Sequence, residues 1–497
     1  MIYVPDIIKG RTGYLVMVDR FCRVGESPKP MEGRKIKEWS DSIPDWQPDA
    51  DGVYRNQYFY GGNLKGVESK IDYFDKLGVD FVCLGPISRS DNYHHYDVHD
   101  QRIIDPYIGD WNDFSLLAKK LHMKKKLLGV DLVFNHRSSE SEFFKKAMAG
   151  DPKYKKWFEW DENGNPICWS GYKDMPQCNK LEPSYQEFCC EEMRMYIENG
   201  ADFIRLDLGE NFPKEFLMKI KSAARKINPK VVIAVEMWEF AFKKGNPIIY
   251  DGQADTVMNY PLADAILRWV RYGNYLHFNA CTESLAKYPL QVRDATLNYL
   301  STHDTPRERN MLAGGRMVED PYAKGFIWEM EYWWDEKGKP FPTYEFRKWG
   351  IEHSEDLSPL VDDLQKLASL IQYLSKGIPV IYYGSERGMS GNKDPDSRRP
   401  VQWETTNADM FNYYCGLGKM RKENRDILAK GEEYKNATPN VLEIVRRSEK
   451  GIILGFINRS SDYQPIEAYF PNAKEIFNLK GSNQSMLAPY GAYVCRF

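Results

Sequence analysis

Eight short runs rich in β-branched or aromatic residues recur along most of this 497-residue chain, and their spacing limits what it can fold into. They are Tyr14–Phe21, Val79–Pro86, Leu128–His136, Ala201–Leu208, Val231–Trp238, Thr256–Tyr260, Ala295–Asp304 and Ile378–Gly384. Amphipathic intervals such as Lys65–Leu77, Phe114–Lys126 and Tyr185–Asn199 lie between several of them. Strand–helix alternation implies parallel pairing with crossovers, and eight such units predict an α/β chain closed into a (β/α)8 TIM barrel. A doubly wound open sheet is the alternative that the pattern leaves open. It requires different neighbours for the seventh and eighth strands.

Two intervals exceed a plain helix and loop. Residues 137–189 are rich in Trp, Lys, Pro and Gly without a long periodic segment, and read as a small inserted domain. Residues 305–370 carry Trp328, Trp333, Trp334 and Trp349 among many charges. From about Gly431 the pattern becomes short alternating strands such as Val441–Arg446, Gly451–Ile457 and Tyr493–Phe497. The expected organisation is a barrel from 1–136 and 190–430, an insertion at 137–189 and a C-terminal antiparallel β-sandwich at 431–497.

Composition removes several classes of function. With 36 Gly and 28 Pro the chain is neither collagen-like nor low-complexity. No uncharged apolar run approaches the ~18 residues of a membrane span. A net charge of −3 gives no electrostatic reason for nucleic acid or anionic lipid as partners. Nine scattered cysteines, without CxxC or a Cys/His cluster, argue against a disulfide framework or zinc site and for a reducing cytoplasm. Met1–Asp6 lacks the basic and apolar stretches of an export signal, which points the same way. The 13 Trp, 32 Tyr and 24 Phe suit a large core and also stacking on flat, weakly polar ligands.

In a barrel of this kind the C-terminal strand ends face the active site. Here they carry Asp131 and Asn135-His136 on the third strand, Arg205 and Asp207 on the fourth, Glu236 on the fifth and His303-Asp304 on the seventh. Buried charges are costly unless paired, so a purely structural barrel would avoid this collection. Arg205 and Asp207 are two residues apart and point the same way, and a guanidinium beside Asp207 is expected to keep it ionised as a nucleophile. Glu236 lies one strand over, which brings two carboxyls toward the ~5–5.5 Å separation of retaining glycosidases. It follows the apolar run Val231–Val235 and precedes Met237-Trp238, surroundings expected to keep it protonated as a general acid. Taken singly, Arg205/Asp207 is an ordinary ion pair, Glu236 a solvated strand-end carboxylate and Asp304 a helix cap. The joint pattern at successive strand ends carries the inference.

Four segments in order, Asp131-Leu-Val-Phe-Asn-His136, Phe203-Ile-Arg-Leu-Asp207, Val235-Glu-Met-Trp238 and Leu300-Ser-Thr-His-Asp304, resemble the α-amylase family, glycoside hydrolase family 13. Val18-Asp-Arg-Phe21, Tyr60–Gly66, His95-Tyr-Asp97, Val257–Tyr260 and Ile381–Gly384 extend the resemblance over nearly the whole chain. Met258–Tyr260, Thr302–Arg307 and Gly388–Pro400 are most similar to its neopullulanase, cyclomaltodextrinase and maltogenic amylase branch. The resemblance implies that Asp207 attacks the anomeric carbon, Glu236 acts as acid and then base, and Asp304 binds sugar hydroxyls. It further implies that Arg205 orients Asp207, that Asp97 helps fix Arg205, that His136 and His303 hold the sugar, and that Tyr96 stacks beneath it. Asp394 and Arg398 match contacts to glucose units toward the non-reducing end, and 137–189 corresponds to the family's domain B.

Departures stand beside these matches. The chain starts almost at the first barrel strand, without the N-terminal β-sandwich usual in that branch, so oligomeric state is left open. Leu208-Gly-Glu-Asn211 follows Asp207 where the branch has an Asn-Glu pair, and Val235 replaces the Gly usual before the acid. No cofactor is required, and Asn135 alone does not make a structural calcium site, which needs six or more oxygens. The expected activity is retaining hydrolysis of α-glucosidic bonds, mainly α-1,4, in malto-oligosaccharides, cyclodextrins or related α-glucans. A glucanotransferase differs only in whether water or a sugar hydroxyl takes the glycosyl group. A non-catalytic glucan-binding relative is the third alternative.

Overall fold

Eight parallel strands form one sheet: β1 (Gly13–Val16), β2 (Phe81–Leu84), β3 (Leu127–Leu132), β4 (Phe203–Leu206), β5 (Val232–Val235), β6 (Thr256–Val257), β7 (Leu297–Asn298) and β8 (Ile378–Tyr382). Their order is β6-β5-β4-β3-β2-β1-β8-β7, and a bridge between Met258 and Leu297 joins the two ends. The sheet is therefore a ring, and the open-sheet alternative is removed. The computed structural model describes residues 3–31, 33–47, 57–242, 248–313, 343–355, 357–405, 407–466 and 471–497. Each observed strand lies within or at the edge of its expected run but is shorter, because the last residues of each run leave the ladder to line the barrel mouth. Trp328, Trp333 and Trp334, and the side chain of Trp349, lie outside the described residues.

Ring closure requires small residues beside large ones. Phe81 and Phe203 pack across the barrel floor with ring centroids 4.7 Å apart. Between their strands sits Gly129, where a Cβ would come 2.7 Å from the Phe81 ring. Helices on the outside begin and end on local signals. Helix α1 (Trp111–Met123) starts where the Asp110 side chain accepts from Asp113 N–H at 2.9 Å. Helix α5 (Tyr260–Tyr272) has Pro261 in its first turn and stops at Gly273, whose φ of 70° is left-handed.

After β3 the chain makes a short helix α2 (Glu142–Met148) and a set of isolated bridges, among them His136 to Gln177 and Cys168 to Pro176. The barrel then resumes with α3 (Pro183–Glu198), so the expected boundary at 189 falls inside a helix. Arg137, at the root of this segment, is clamped to α3 by Glu192: Nη1 donates to Oε1 at 2.7 Å and Nη2 to Oε2 at 2.5 Å. Both side chains are buried, and Glu192 also accepts from the Gln101 N–H at 2.9 Å. Helices α4 (Lys214–Ile227) and α6 (Val361–Leu374) belong to the outer layer.

The C-terminal unit holds a five-stranded antiparallel sheet of β9 (Glu432–Ala437), β10 (Val441–Ser448), β11 (Gly451–Asn458), β13 (Lys474–Leu479) and β15 (Ala492–Arg496), in the order β9-β10-β11-β15-β13. A two-stranded ribbon, β12 (Gln464–Pro465) and β14 (Met486–Leu487), covers one face. Period-two alternation explains the layering. Ile453 and Ile457 belong to the core shared with the barrel, whereas Leu454 and Phe456 pack with Leu487 under the ribbon. Arg446 fastens the inner face to α6 by donating to the Leu374 carbonyl at 2.9 Å. No described helix is long and apolar enough to cross a membrane.

The Arg137–Glu192 pair yields a direct test. Breaking a buried ion pair from one side strands the other charge, at about 3–5 kcal/mol. Glu192→Ala should therefore lower the melting temperature substantially, whereas Glu191→Ala, one residue away and half exposed, should leave it nearly unchanged. Equal small effects in a thermal melt would show that the pair does not hold the insertion.

Candidate active site

The side-chain alternation along β4 puts Phe203 on the barrel floor, Arg205 above it and Asp207 at the mouth. Arg205 stands in register with Asp131 of β3 on one side and Ala234 of β5 on the other. Its guanidinium is buried and meets three carboxylates. Nη1 donates to Asp131 Oδ2 in a short contact and to Asp207 Oδ1 at 3.1 Å, and Nη2 lies 3.0 Å from Glu236 Oε2. Nε points at Met258 Sδ, 3.3 Å away. One positive charge thus faces three negative ones in a site with little water.

That imbalance acts against the expected ionisation of Asp207. Burial and the neighbouring Glu236 push the Asp207 carboxyl well above the ordinary carboxylate range, and Arg205 opposes them without prevailing. Asp131 is pushed up to about 7 by burial, against Arg205 and the Tyr96 hydroxyl. Glu236 is buried beside Val235 and Met237, and both of its oxygens are hydrogen-bonded. Its Oε2 accepts the Leu208 N–H at 2.8 Å and its Oε1 accepts the Trp238 indole N–H at 3.0 Å. Leu208 reaches this position in a left-handed conformation, φ 51°. Gly209 then packs on the strand before the acid: a Cβ there would stand 2.6 Å from the Val235 Cβ. The two departures noted in the sequence, Val235 and the Leu-Gly-Glu-Asn segment, are therefore one steric arrangement.

Tyr96 links the remaining groups. Its hydroxyl donates to Asp131 Oδ2 at 2.8 Å and meets His303 Nε2 at 2.5 Å, and its ring stacks on His303 at 5.1 Å with planes 14° apart. His136 Nε2 lies 3.1 Å from the Tyr96 carbonyl. Burial lowers both imidazoles, His136 to about 4, so each is neutral at pH 7. Asp304 is the most open of the three expected catalytic carboxylates, with 29% of its side chain exposed. Arg398 donates through Nε to the His303 carbonyl at 2.8 Å and reaches Asp304 at 3.6 Å and Asp394 at 3.2 Å. Burial would raise Asp394, yet Arg398 and the Tyr93 hydroxyl at 2.9 Å hold it below the usual carboxylate range.

Asp97 departs from its expected role. It accepts from Ser90 Oγ and from the Asp91 N–H at 3.2 Å, so it braces its own turn, and Asp131 holds Arg205 instead. The sequence reading quoted Asp131 without assigning it a role, and it missed the Trp238 and Leu208 donors. Asp131 stood among the strand-end acids of the third run, but its register with Arg205 and the two donors to Glu236 depend on neighbouring segments. Among the described residues no group of three or more His, Cys, Asp or Glu is arranged to hold a metal ion. Asn135 Oδ1 accepts the Lys180 ammonium at 3.1 Å, so a side-chain cation already stands there.

The raised Asp207 has a consequence for stability. A carboxyl raised in the folded protein favours folding below its unfolded value, about 3.9, and that contribution is lost as pH rises through the folded value. Asp207→Asn removes the charge and the loss with it. The variant should melt higher than wild type at pH 7, with the gap shrinking toward pH 4. An equal or lower melting temperature at pH 7 would contradict the buried-charge account.

Comparison with known proteins agrees with this geometry. The family model described as alpha amylase, catalytic domain, matches residues 39–324. The cyclomaltodextrinase of Thermoanaerobacter pseudethanolicus is 27% identical over 515 residues, covering 99% of this chain and 79% of that one. Neopullulanase 2 of Thermoactinomyces vulgaris is 27% identical over 433 residues, covering 84% of this chain and 63% of its own. Among solved structures, the cyclic alpha-maltosyl-(1→6)-maltose hydrolase of Arthrobacter globiformis superposes with a TM-score of 0.78 at 20% identity, over 99% of this chain and all of that one. The family match spans more than half of the residues, and the chain belongs to the alpha-amylase family of glycoside hydrolases.

Proposed function

We propose that Asp207, Glu236 and Asp304 cleave α-glucosidic bonds, mainly α-1,4, in malto-oligosaccharides and cyclodextrins by double displacement. The observation that carries this reading is the sharing of one guanidinium by two carboxyls from adjacent strands, Asp207 at 3.1 Å and Glu236 at 3.0 Å. Such sharing gathers two carboxyls from adjacent strands at one cation, which supports the close pair that a retaining mechanism uses.

In the first step Asp207 Oδ attacks the anomeric carbon while Glu236 gives its proton to the departing glycosidic oxygen. The C1–O bond breaks and a glycosyl ester forms on Asp207. In the second step Glu236, now a carboxylate, takes a proton from water, the water oxygen bonds to C1, and the ester is released. Two inversions leave the anomeric configuration unchanged. The Leu208 and Trp238 donors hold both Glu236 oxygens in place. Asp304, exposed and steadied by Arg398, meets sugar hydroxyls as positive charge builds at C1. Neutral His136 and His303 serve as hydrogen-bonding partners for the sugar rather than as charges.

Cyclodextrins and related α-glucans such as pullulan join the proposed substrates because the relatives are a cyclomaltodextrinase and a neopullulanase. All nine cysteines are free thiols, which supports a cytoplasmic site of action. The reading divides the chain as a barrel, domain B and a sandwich at 431–497, with the end of domain B moved from 189 to the start of α3 at Pro183.

Incubation with maltoheptaose, β-cyclodextrin and pullulan tests the proposal. Wild type should release glucose, maltose or panose, and Asp207→Ala should lose at least about 10⁴-fold in rate. Products longer than maltoheptaose would reassign the protein as a transferase. Turnover of none of the three, or full activity in Asp207→Ala, would sink the assignment.

A further inference from the structure

Three loops from neighbouring strands converge on one buried cation. Arg20 lies in a short helix, Val18–Phe21, directly after β1. Its guanidinium sits between two tyrosine rings, 3.8 Å from the centroid of Tyr93 and 4.4 Å from that of Tyr60. Tyr93 belongs to the loop after β2, in the turn that Asp97 braces through Ser90 and the Asp91 N–H. The loop after β8 joins through the Arg20 carbonyl, which accepts the Val401 N–H at 2.9 Å. A ring that is 2% exposed and stacked on a buried cation has little freedom, so the Tyr93 hydroxyl has one direction in which to donate.

That direction is toward Asp394. The hydroxyl donates to Asp394 Oδ1 at 2.9 Å, and the closest approach of Arg398, Nη1 at 3.2 Å, is to the same oxygen. Oδ2 accepts no hydrogen bond among the described residues and, with the side chain 23% exposed, is left for solvent or a ligand. A buried tyrosine needs some acceptor for its hydroxyl, and any carbonyl would serve. Here the acceptor is a partly exposed carboxylate at the barrel mouth, shared with an arginine that also reaches Asp304 at 3.6 Å.

Topology says which end of a substrate this oxygen meets. In the eight-strand ring β5 and β1 are separated by three strands either way round, so they lie on opposite sides of the mouth. Glu236 follows β5, whereas Arg20, Tyr93 and Asp394 follow β1 and its two neighbours, β2 and β8. The leaving part of a glucan departs past the group that protonates it. The glucose units that stay with the ester therefore extend away from Glu236, toward Asp394 Oδ2.

We propose that Tyr93 is a positioning residue for the glucose unit next to the one being transferred, on its non-reducing side. Tyr93 turns Asp394 so that Oδ1 is occupied by the phenol and Arg398 while Oδ2 accepts a sugar hydroxyl. Tyr93 itself does not touch the sugar. This inference rests on the α-glucan reading of the same site. It makes the preference for a second glucose unit a joint property of the three loops that meet at Arg20, with the Tyr93 hydroxyl as the link between them and Asp394.

The test compares fluoride release from α-maltosyl fluoride and α-glucosyl fluoride, which differ by one glucose unit on the non-reducing side and share a leaving group. The ratio of their kcat/KM values is measured in wild type, Tyr93→Phe, Asp394→Ala and the double variant. Tyr93→Phe keeps the ring on Arg20 and removes only the hydroxyl. It should lower the ratio about 5- to 10-fold, chiefly through KM for the maltosyl substrate. Asp394→Ala should lower the ratio at least as far, and adding Tyr93→Phe to it should lower it no further. An unchanged ratio in Tyr93→Phe, including an equal fall on both substrates, overturns the positioning role. So does a further fall in the double variant, which would show that Tyr93 acts without Asp394. Wild type that releases fluoride from neither substrate would instead overturn the α-glucan reading itself, so the two failures are distinguishable.

Discussion

Arg205 is the charge around which the barrel mouth is organised. Its position between Asp131 and Ala234 follows from strand register, and the small Ala234 side chain leaves room for the guanidinium to extend toward Glu236. Three carboxylates can be buried together only because this one cation is shared among them, and even so the balance is unfavourable. The fold supplies the missing stability elsewhere, through the closed ring of strands, the Arg137–Glu192 clamp and the C-terminal sheet packed on α6. A site under this electrostatic load is poised for chemistry in which one of the carboxylates loses its charge by forming an ester.

Much of this was legible in the sequence, for a physical reason. The barrel strands are buried on both faces, so they read as continuous apolar runs, and all eight were found in order. A two-residue spacing fixes Arg205 and Asp207 on one face whatever surrounds them. What depended on neighbouring strands was not legible. Asp131 touches Arg205 because β3 and β4 pair in a particular register, and no periodicity within either strand reveals that. Asp97 was assigned to Arg205 by resemblance, yet the turn that carries it closes on Ser90 and Asp91.

The electrostatics of the site depend on more neighbours than a single strand shows. Reading Asp207 beside Arg205 gave an ionised carboxylate, because a pairwise view counts one cation for one anion. The structure places two further carboxylates on the same cation and removes the water that would screen them. Reading Glu236 beside an apolar run left out its hydrogen-bond donors, because a leucine is not the residue one expects to turn left-handed and aim its N–H at a carboxylate. The room for that turn comes from Gly209 against Val235, a contact between segments far apart in the chain.

The central claim is that Asp207, held by Arg205, forms a bond to the sugar. A fluorinated α-glucosyl fluoride carries its own leaving group and slows breakdown of the ester, so the intermediate can be accumulated in Glu236→Gln and located by mass spectrometry of proteolytic fragments. The account predicts one glycosyl adduct, on the fragment and side chain of Asp207. An adduct on Asp304 or Asp131, or complete consumption of the fluoride with inverted product and no adduct, would contradict it.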